Sequence, residues 1–225
     1  MSLYSYKYQF VFIHIPKNAG STFENNYSEH LPAGELLHFE HLNQLLGYER
    51  DAALGNHFTF AMIEDIVSRH HVQLDLETVV KFCVVRNPWE RMVSLYEHRL
   101  RKIDRLTNGV PRNTPEDKEL LRQGFEPWLL NTQNVSDVVL VRKPQLDWIR
   151  DKEGKQICDL VIQIEEYDAG IEKVVEQVGL PKIDMPRRNT SSKDSSKYRS
   201  YFGEASRAHV EKYFAEDIET FGFKY

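Results

Sequence analysis

The residues able to do chemistry come early in the chain. Lys17, Ser21 and Thr22 stand in FVFIHIPKNAGST (Phe10–Thr22), behind an apolar run and around Asn18, Ala19 and Gly20. An apolar run that breaks at Pro16 into small residues and then hydroxyls reads as a buried strand, a tight turn and a helix start. Such a turn points several backbone N–H groups at one spot, and the helix adds its positive end. A phosphate or sulfate is what that spot holds. The same residues also suit a plain strand-to-helix turn in which a hydroxyl serves only as an N-cap. The triphosphate loop GxxxxGK[ST] has its lysine after the second glycine. Here Lys17 precedes Gly20 and nothing basic follows before Ser21, which disfavours a nucleotide triphosphatase.

A second stretch, VVRNPWERMVSLYEH (84–98), adds another basic position. Helix capping accounts for Asn87, Pro88 at the first helical position and Glu90. It leaves Arg86, a charge at the end of a buried strand, and Ser94, on one helical face with Arg91. Arg86 can fork onto a second phosphate with Ser94 donating from the helix. The plainer alternative pairs Arg86 with a carboxylate such as Glu90.

These residues need elements to hold them. The pattern predicts strands over Tyr8–Ile15, Thr78–Val85 and Ile157–Ile164, with a further short strand or strand end at His57–Met62 and a helical turn over Asp65–His71. Helices are expected from Gly20, from Asn87 through Ile103, over 116–131, over Glu165–Val178 with a stop at Gly179-Leu180-Pro181, and from Ser206 to Thr220. Near-continuous apolar strands such as VVKFCVV suit a parallel sheet covered on both faces. Strands alternating with helices give right-handed crossovers, and ligands in such folds sit at the carboxyl ends of the strands. Pro16–Thr22 and Arg86 both fall there, as do Glu165 and Glu166.

Composition sets the limits. The 225 residues are 41% hydrophobic and 28% charged, with no low-complexity linker, so one domain over 1–225 is expected. The net charge of −5 argues against a general nucleic-acid binder. Within that acidic chain, residues 86–105 carry six Lys/Arg against three Asp/Glu, and residues 187–199 carry five against one. Each basic run is a candidate anion site or a solvated helix face. Cys83 and Cys158 lie in separate apolar runs and read as free buried thiols. MSLYSYKYQF lacks a signal-peptide apolar region and no window holds 18 consecutive apolar residues, so a cytoplasmic protein without a transmembrane segment is expected. Nothing in the sequence bears on oligomeric state.

Taken together, PKNAGST resembles the 5′-phosphosulfate loop of sulfotransferases that use 3′-phosphoadenosine 5′-phosphosulfate (PAPS). The stretch RNPWERMVSLY, with Arg86, Pro88, Arg91, Ser94 and Tyr96, resembles their 3′-phosphate segment, in the expected order and about 70 residues on. The variant is similar to the branch of heparan sulfate 2-O- and chondroitin-type carbohydrate sulfotransferases. The likeness is strongest over residues 8–100. It implies an α/β three-layer fold related to the P-loop kinases, with a central parallel sheet flanked by helices. It also implies that Lys17, Asn18, Ala19, Gly20, Ser21 and Thr22 hold the 5′-phosphosulfate and that Arg86 and Ser94 hold the 3′-phosphate. Arg188 and Lys193, beside Arg187 in the basic loop, are weaker candidates for the same phosphate or the adenine side. The product would be adenosine 3′,5′-bisphosphate.

Sulfuryl transfer to a hydroxyl needs the acceptor proton removed as the O–S bond forms, and histidine suits this near neutral pH. His57, in LGNHFTF, resembles the segment carrying the histidine base in the 2-O-sulfotransferase branch, although Asn56 intervenes between Gly55 and His57. His14, His38, His41 and Glu24 are the alternatives. Catalysis would rest on positioning and electrostatics, with His57 as base and Lys17 stabilising the transferring group. No metal would be required, because lysine and backbone amides supply the charge. The acceptor implied by the branch is a carbohydrate hydroxyl, with residues 102–135 facing it. Trp128 and Trp148 can stack on sugars, though core packing is the commoner use of each. The competing readings are a nucleotide kinase or NTPase of related fold and a non-catalytic nucleotide- or glycan-binding module.

Overall fold

The computed structural model describes residues 1–39, 57–69, 72–104, 106–107, 110–111, 114–131, 142–184 and 197–225. Its fold is built on the apolar run that precedes the loop. FVFI forms strand β2 (Phe10–Ile13), aromatic and β-branched throughout, and all four side chains are buried. A short strand β1 (Leu3–Ser5) folds back antiparallel on it, with Leu3 opposite Phe12, and β3 (Leu37–His38) pairs antiparallel with β1. On its other side β2 runs parallel to β4 (Val80–Val85), Phe12 opposite Phe82. β4 in turn runs parallel to β7 (Leu160–Gln163), Val84 opposite Ile162. Between these in the chain lie β5 (Leu106–Thr107) and β6 (Val110–Pro111), which form a separate two-stranded ribbon.

The main sheet therefore has the order β3-β1-β2-β4-β7. Its three principal strands are parallel, as the alternating pattern predicts, and β1 and β3 add an antiparallel edge. That edge has little signal in the sequence: β1 is three residues long, and its alternation is cut short by the turn at Tyr6–Gln9.

Compactness divides the chain into two units, residues 1–86 with 145–189 and residues 87–144 with 190–225. The first holds the main sheet. Helix α1 (Gly20–His30) buries Phe23 and Tyr27 in a core with Phe10, Phe12, Phe82 and Ile162. A helix over Tyr167–Val178 adds Tyr167, Ile171, Val174 and Val175 to that core. Gly179 stops it in the left-handed conformation (φ +70°), which a residue without a Cβ adopts cheaply.

Helix α2 (Phe60–Arg69) corrects an expectation. HFTFAM alternates like a strand, but Phe60, Ile63 and Ile66 are the buried positions, which is the spacing of a helix. Met62 N donates to Thr59 Oγ1 at 3.4 Å, so the chain turns into a helix where strand was predicted, and His57–Thr59 form an irregular lead-in.

In the second unit, α3 (Pro88–Arg101) starts as the sequence predicts. Asn87 Oδ1 accepts from Trp89 N at 3.0 Å, and Pro88 takes the first turn. Arg91 is fully buried and donates to the Lys143 carbonyl at 2.9 Å, a structural role. The expected 116–131 helix is two, α4 (Pro115–Gln123) and α5 (Phe125–Asn131), broken at Gly124 with φ +119°. Trp128 is fully buried among Tyr96, Phe125 and Leu129, so it packs the core. The final helix is likewise divided, into Glu204–Tyr213 and Ala215–Phe221. Among the described residues no helix is long and apolar enough to cross a membrane.

Candidate active site

The loop after β2 carries the geometry of an anion cradle. Lys17 and Ala19 both have positive φ, +71° and +59°, though neither is glycine. Each such residue costs on the order of 1–3 kcal/mol, and such strain persists where the surroundings over-determine it. Alternating left-handed residues turn successive N–H groups to one side and make a concavity suited to anions. α1 begins at Gly20, and Ala19 at its N-cap makes no side-chain cap hydrogen bond. Ser21 and Thr22 thus lie inside the first turn. The reading in which one of them only caps the helix is set aside. Thr22 N donates to the Ala19 carbonyl at 2.9 Å, so the N–H groups ahead of it are the ones an anion would meet. These features fit a phosphosulfate group.

Asn18 has a different part from the one its place in the loop suggests. It is 1% exposed; its Nδ2 donates to the Val84 carbonyl at 2.8 Å and to Gln145 Oε1 at 2.7 Å. Its side chain anchors the loop to the end of β4, leaving only its backbone for an anion. Gly20 likewise answers to a neighbour. A Cβ placed there would lie 2.4 Å from His14 Cδ2 and 2.6 Å from His14 Nε2. The glycine lets the loop close down on the His14 ring.

Arg86 is buried at the end of β4. Its Nη1 donates to the Lys17 carbonyl at 3.3 Å, so the arginine of the second motif reaches the loop of the first. Gln145, which no motif picks out, joins the two. Its Oε1 accepts from Arg86 N at 2.8 Å and its Nε2 donates to the Arg86 carbonyl at 2.9 Å. A lone glutamine 59 positions from Arg86 carries no local signal for this.

Four of the residues considered for the base come together beside the loop. His14, on the residue after β2, stacks its ring on Phe12 at 5.6 Å and meets His57 edge-on at 4.8 Å. His14 Nδ1 lies 3.6 Å from Glu24 Oε2, and His38 Nδ1 lies 3.8 Å from Glu24 Oε1. The Met1 amino group also contacts Glu24 and His14 Nδ1. His57 Nδ1 is 3.1 Å from the carbonyl oxygen of His14. A carbonyl only accepts, so Nδ1 carries the proton and Nε2 the lone pair.

Burial pushes the His14 imidazole down to about 4, against a weaker opposing pull from Glu24. His57 is held well below the usual histidine range, first by burial and then by the charges of His14 and the chain's amino group. Both are neutral at pH 7. Burial alone would raise Glu24, but hydrogen bonding to His14 and the adjacent amino group outweigh it and hold the carboxylate at about 2. Trp148, 1% exposed, stands edge-on to His57 at 6.3 Å and is core rather than a platform for sugars.

Ser94 is half-buried on α3 in the second unit. Arg187, Arg188, Lys193 and His41 lie outside the described residues. Both thiols are free, Cys83 buried and Cys158 half-buried.

A parallel sheet ending in a lysine-bearing loop, with neutral histidines packed under it, is an α/β framework whose geometry suits an anion. Over residues 2–224 the sequence matches the sulfotransferase family, and the chain belongs to that family. This is the class, the PAPS-dependent sulfotransferases, that its two motifs resemble. Among solved structures the chain is similar to mouse sulfotransferase SULT7A1 complexed with PAP. The TM-score is 0.52 at 13% sequence identity, over 95% of this chain and 86% of that one. The likeness confirms the α/β fold, a central sheet flanked by helices. No curated protein sequence matches.

Proposed function

We propose that this chain moves a sulfuryl group from PAPS to an acceptor hydroxyl, with His57 as the base. The observation that carries the reading is the hydrogen bond between His57 Nδ1 and the His14 carbonyl at 3.1 Å. It fixes the tautomer, and it joins the base to a residue whose ring lies directly under Gly20 of the anion loop.

PAPS supplies the sulfur electrophile and, in its bisphosphate half, the leaving group. The protein's residues do the rest. The backbone N–H groups of residues 18–21, Lys17 Nζ and the Ser21 and Thr22 hydroxyls hold the phosphosulfate end. Arg86 takes the 3′-phosphate. Ser94, Arg188 and Lys193 keep the parts that the resemblance implies for them. Neutral His57 removes the acceptor proton at Nε2 as the new O–S bond forms. Lys17 and the loop amides balance the charge that builds on the bridging oxygen as the old S–O bond breaks. Donors fixed in advance where charge develops lower the barrier more than any other device open to such a site.

The acceptor we propose is a carbohydrate hydroxyl, on the branch resemblance of PKNAGST and RNPWERMVSLY. The match over residues 2–224 supports one sulfotransferase-like domain, and two free thiols fit a reducing, cytoplasmic compartment.

The test is transfer of radiolabelled sulfate from PAPS to a panel of glycans and small alcohols, with His57→Ala alongside. Loss of a positioned base costs about 10²–10⁴-fold in rate, while affinity for adenosine 3′,5′-bisphosphate should stay within about threefold, under about 1 kcal/mol. Full activity in His57→Ala would move the base elsewhere. Stabilisation by ATP and not by the bisphosphate would overturn the donor assignment in favour of a kinase. Bisphosphate binding without transfer to any acceptor would favour a binding module.

A further inference from the structure

Gln145 is fully buried and lies in none of the motifs. Three of the hydrogen bonds of its amide lie inside the first unit. Oε1 accepts from Asn18 Nδ2 at 2.7 Å and from Arg86 N at 2.8 Å, and Nε2 donates to Arg86 O at 2.9 Å. β4 ends at Val85, opposite Gln163 at the end of β7. The N–H and C=O of Arg86 are therefore one residue past the ladder and buried, where an unmet backbone group is costly. Gln145 stands in for one residue of a neighbouring strand, and its remaining acceptor capacity is taken by the loop.

The chemistry restricts what can do this. The site needs a neutral group offering both a donor and an acceptor at the reach of a long side chain, which glutamine alone supplies. Glutamate would remove the donor to Arg86 O and bring a second ionisable group to the guanidinium's own residue. An apolar side chain would leave the Arg86 peptide unmet. The bridge also has two ends in the two motifs. Asn18 belongs to the loop with left-handed Lys17 and Ala19, and Arg86 returns to that loop through Lys17 O at 3.3 Å.

We infer that Gln145 is a positioning residue that sets the register between the 5′-phosphosulfate loop and Arg86. It thereby sets selectivity for nucleotides bearing both a 5′- and a 3′-phosphate over those bearing a 5′-phosphate alone. The inference rests on the donor site proposed above. Gln145 touches neither ligand; it holds the spacing at which one rigid ligand can engage both anion sites.

The experiment compares the full-length chain with Gln145→Met and Gln145→Glu, by calorimetric titration with adenosine 3′,5′-bisphosphate and with adenosine 5′-monophosphate. Urea unfolding of each variant runs in parallel. With the bridge removed, bisphosphate affinity should fall by about tenfold, while monophosphate affinity changes by less than about threefold, so the selectivity ratio shrinks. In an Arg86→Ala background, where selectivity is already lost, Gln145→Met should leave the ratio unchanged. A structural role alone lowers stability and weakens both ligands equally; an unchanged ratio overturns the inference. If Gln145→Met does not fold, Asn18→Ala cuts the loop end of the bridge while Arg86 keeps its partners, and the ratio must still shrink. If the wild-type chain itself does not prefer the bisphosphate, the donor site has been misread, an outcome distinct from selective wild type with unaltered variants.

Discussion

Replacing Gly20 by alanine tests the packing beneath the loop. At the first position of a helix this change ordinarily stabilises, by about 0.5–1 kcal/mol, since glycine has more backbone entropy to lose. Here the new Cβ would stand 2.4 Å from His14 Cδ2, 2.6 Å from Nε2 and 2.9 Å from Cγ. All three are atoms of one ring, and the ring cannot swing aside freely. It is 7% exposed, stacked on Phe12, edge-on to His57 and close to Glu24. Overpacking of this sort costs about 1–3 kcal/mol. The net expectation is a loss of about 1–2 kcal/mol, or roughly 2–8 °C in Tm for a chain of this size. Urea unfolding and a thermal melt measure it. Turnover should fall as well, because the backbone of His14 orients His57. His14→Ala opens the space the methyl needs, so the double variant should lose less stability than the two single losses added together, a favourable coupling. A Gly20→Ala protein more stable than wild type and fully active would refute the close approach of ring and loop.

Other perturbations probe the charges. Lys17→Ala and Arg86→Ala should each weaken adenosine 3′,5′-bisphosphate binding by about 1.5–3 kcal/mol, read by titration; unchanged affinity in both would remove the site. Stability should fall on mild acidification. The unfolded chain protonates His14 near 6.5, whereas the folded one resists until about 4. Between those values the unfolded state binds more protons, so stability declines as pH drops through the window, by on the order of 3 kcal/mol for this residue. Glu24, held at about 2 when folded against 4.5, adds its own loss only below about pH 4.5. Urea midpoints from pH 7 downward check the order, and a flat profile above pH 4.5 would contradict a buried neutral His14.

The strand, loop and helix of residues 10–30 were legible in the sequence because every signal is local: an aromatic and β-branched run, a proline, small residues, then a helix start. The Asn87–Pro88 cap and the Gly179 stop are local in the same way, set by backbone chemistry within a few residues. HFTFAM misled because a stretch so short satisfies either period, and the buried positions that decide between them, Ile63 and Ile66, come later. The sequence also marked Lys17, Arg86 and His57 as reactive residue types and placed the first two at strand ends.

What tertiary structure alone decided is how they are held. Gly20 stands against His14 across a turn, Arg86 reaches a carbonyl 69 positions back, His57 takes its tautomer from a carbonyl 43 positions away, and Gln145 bonds both motifs from 59 and 127 positions off. Such contacts leave no periodicity or spacing behind. They exist because closing the sheet buries polar groups, and each buried group must then find its partner wherever the fold has brought one.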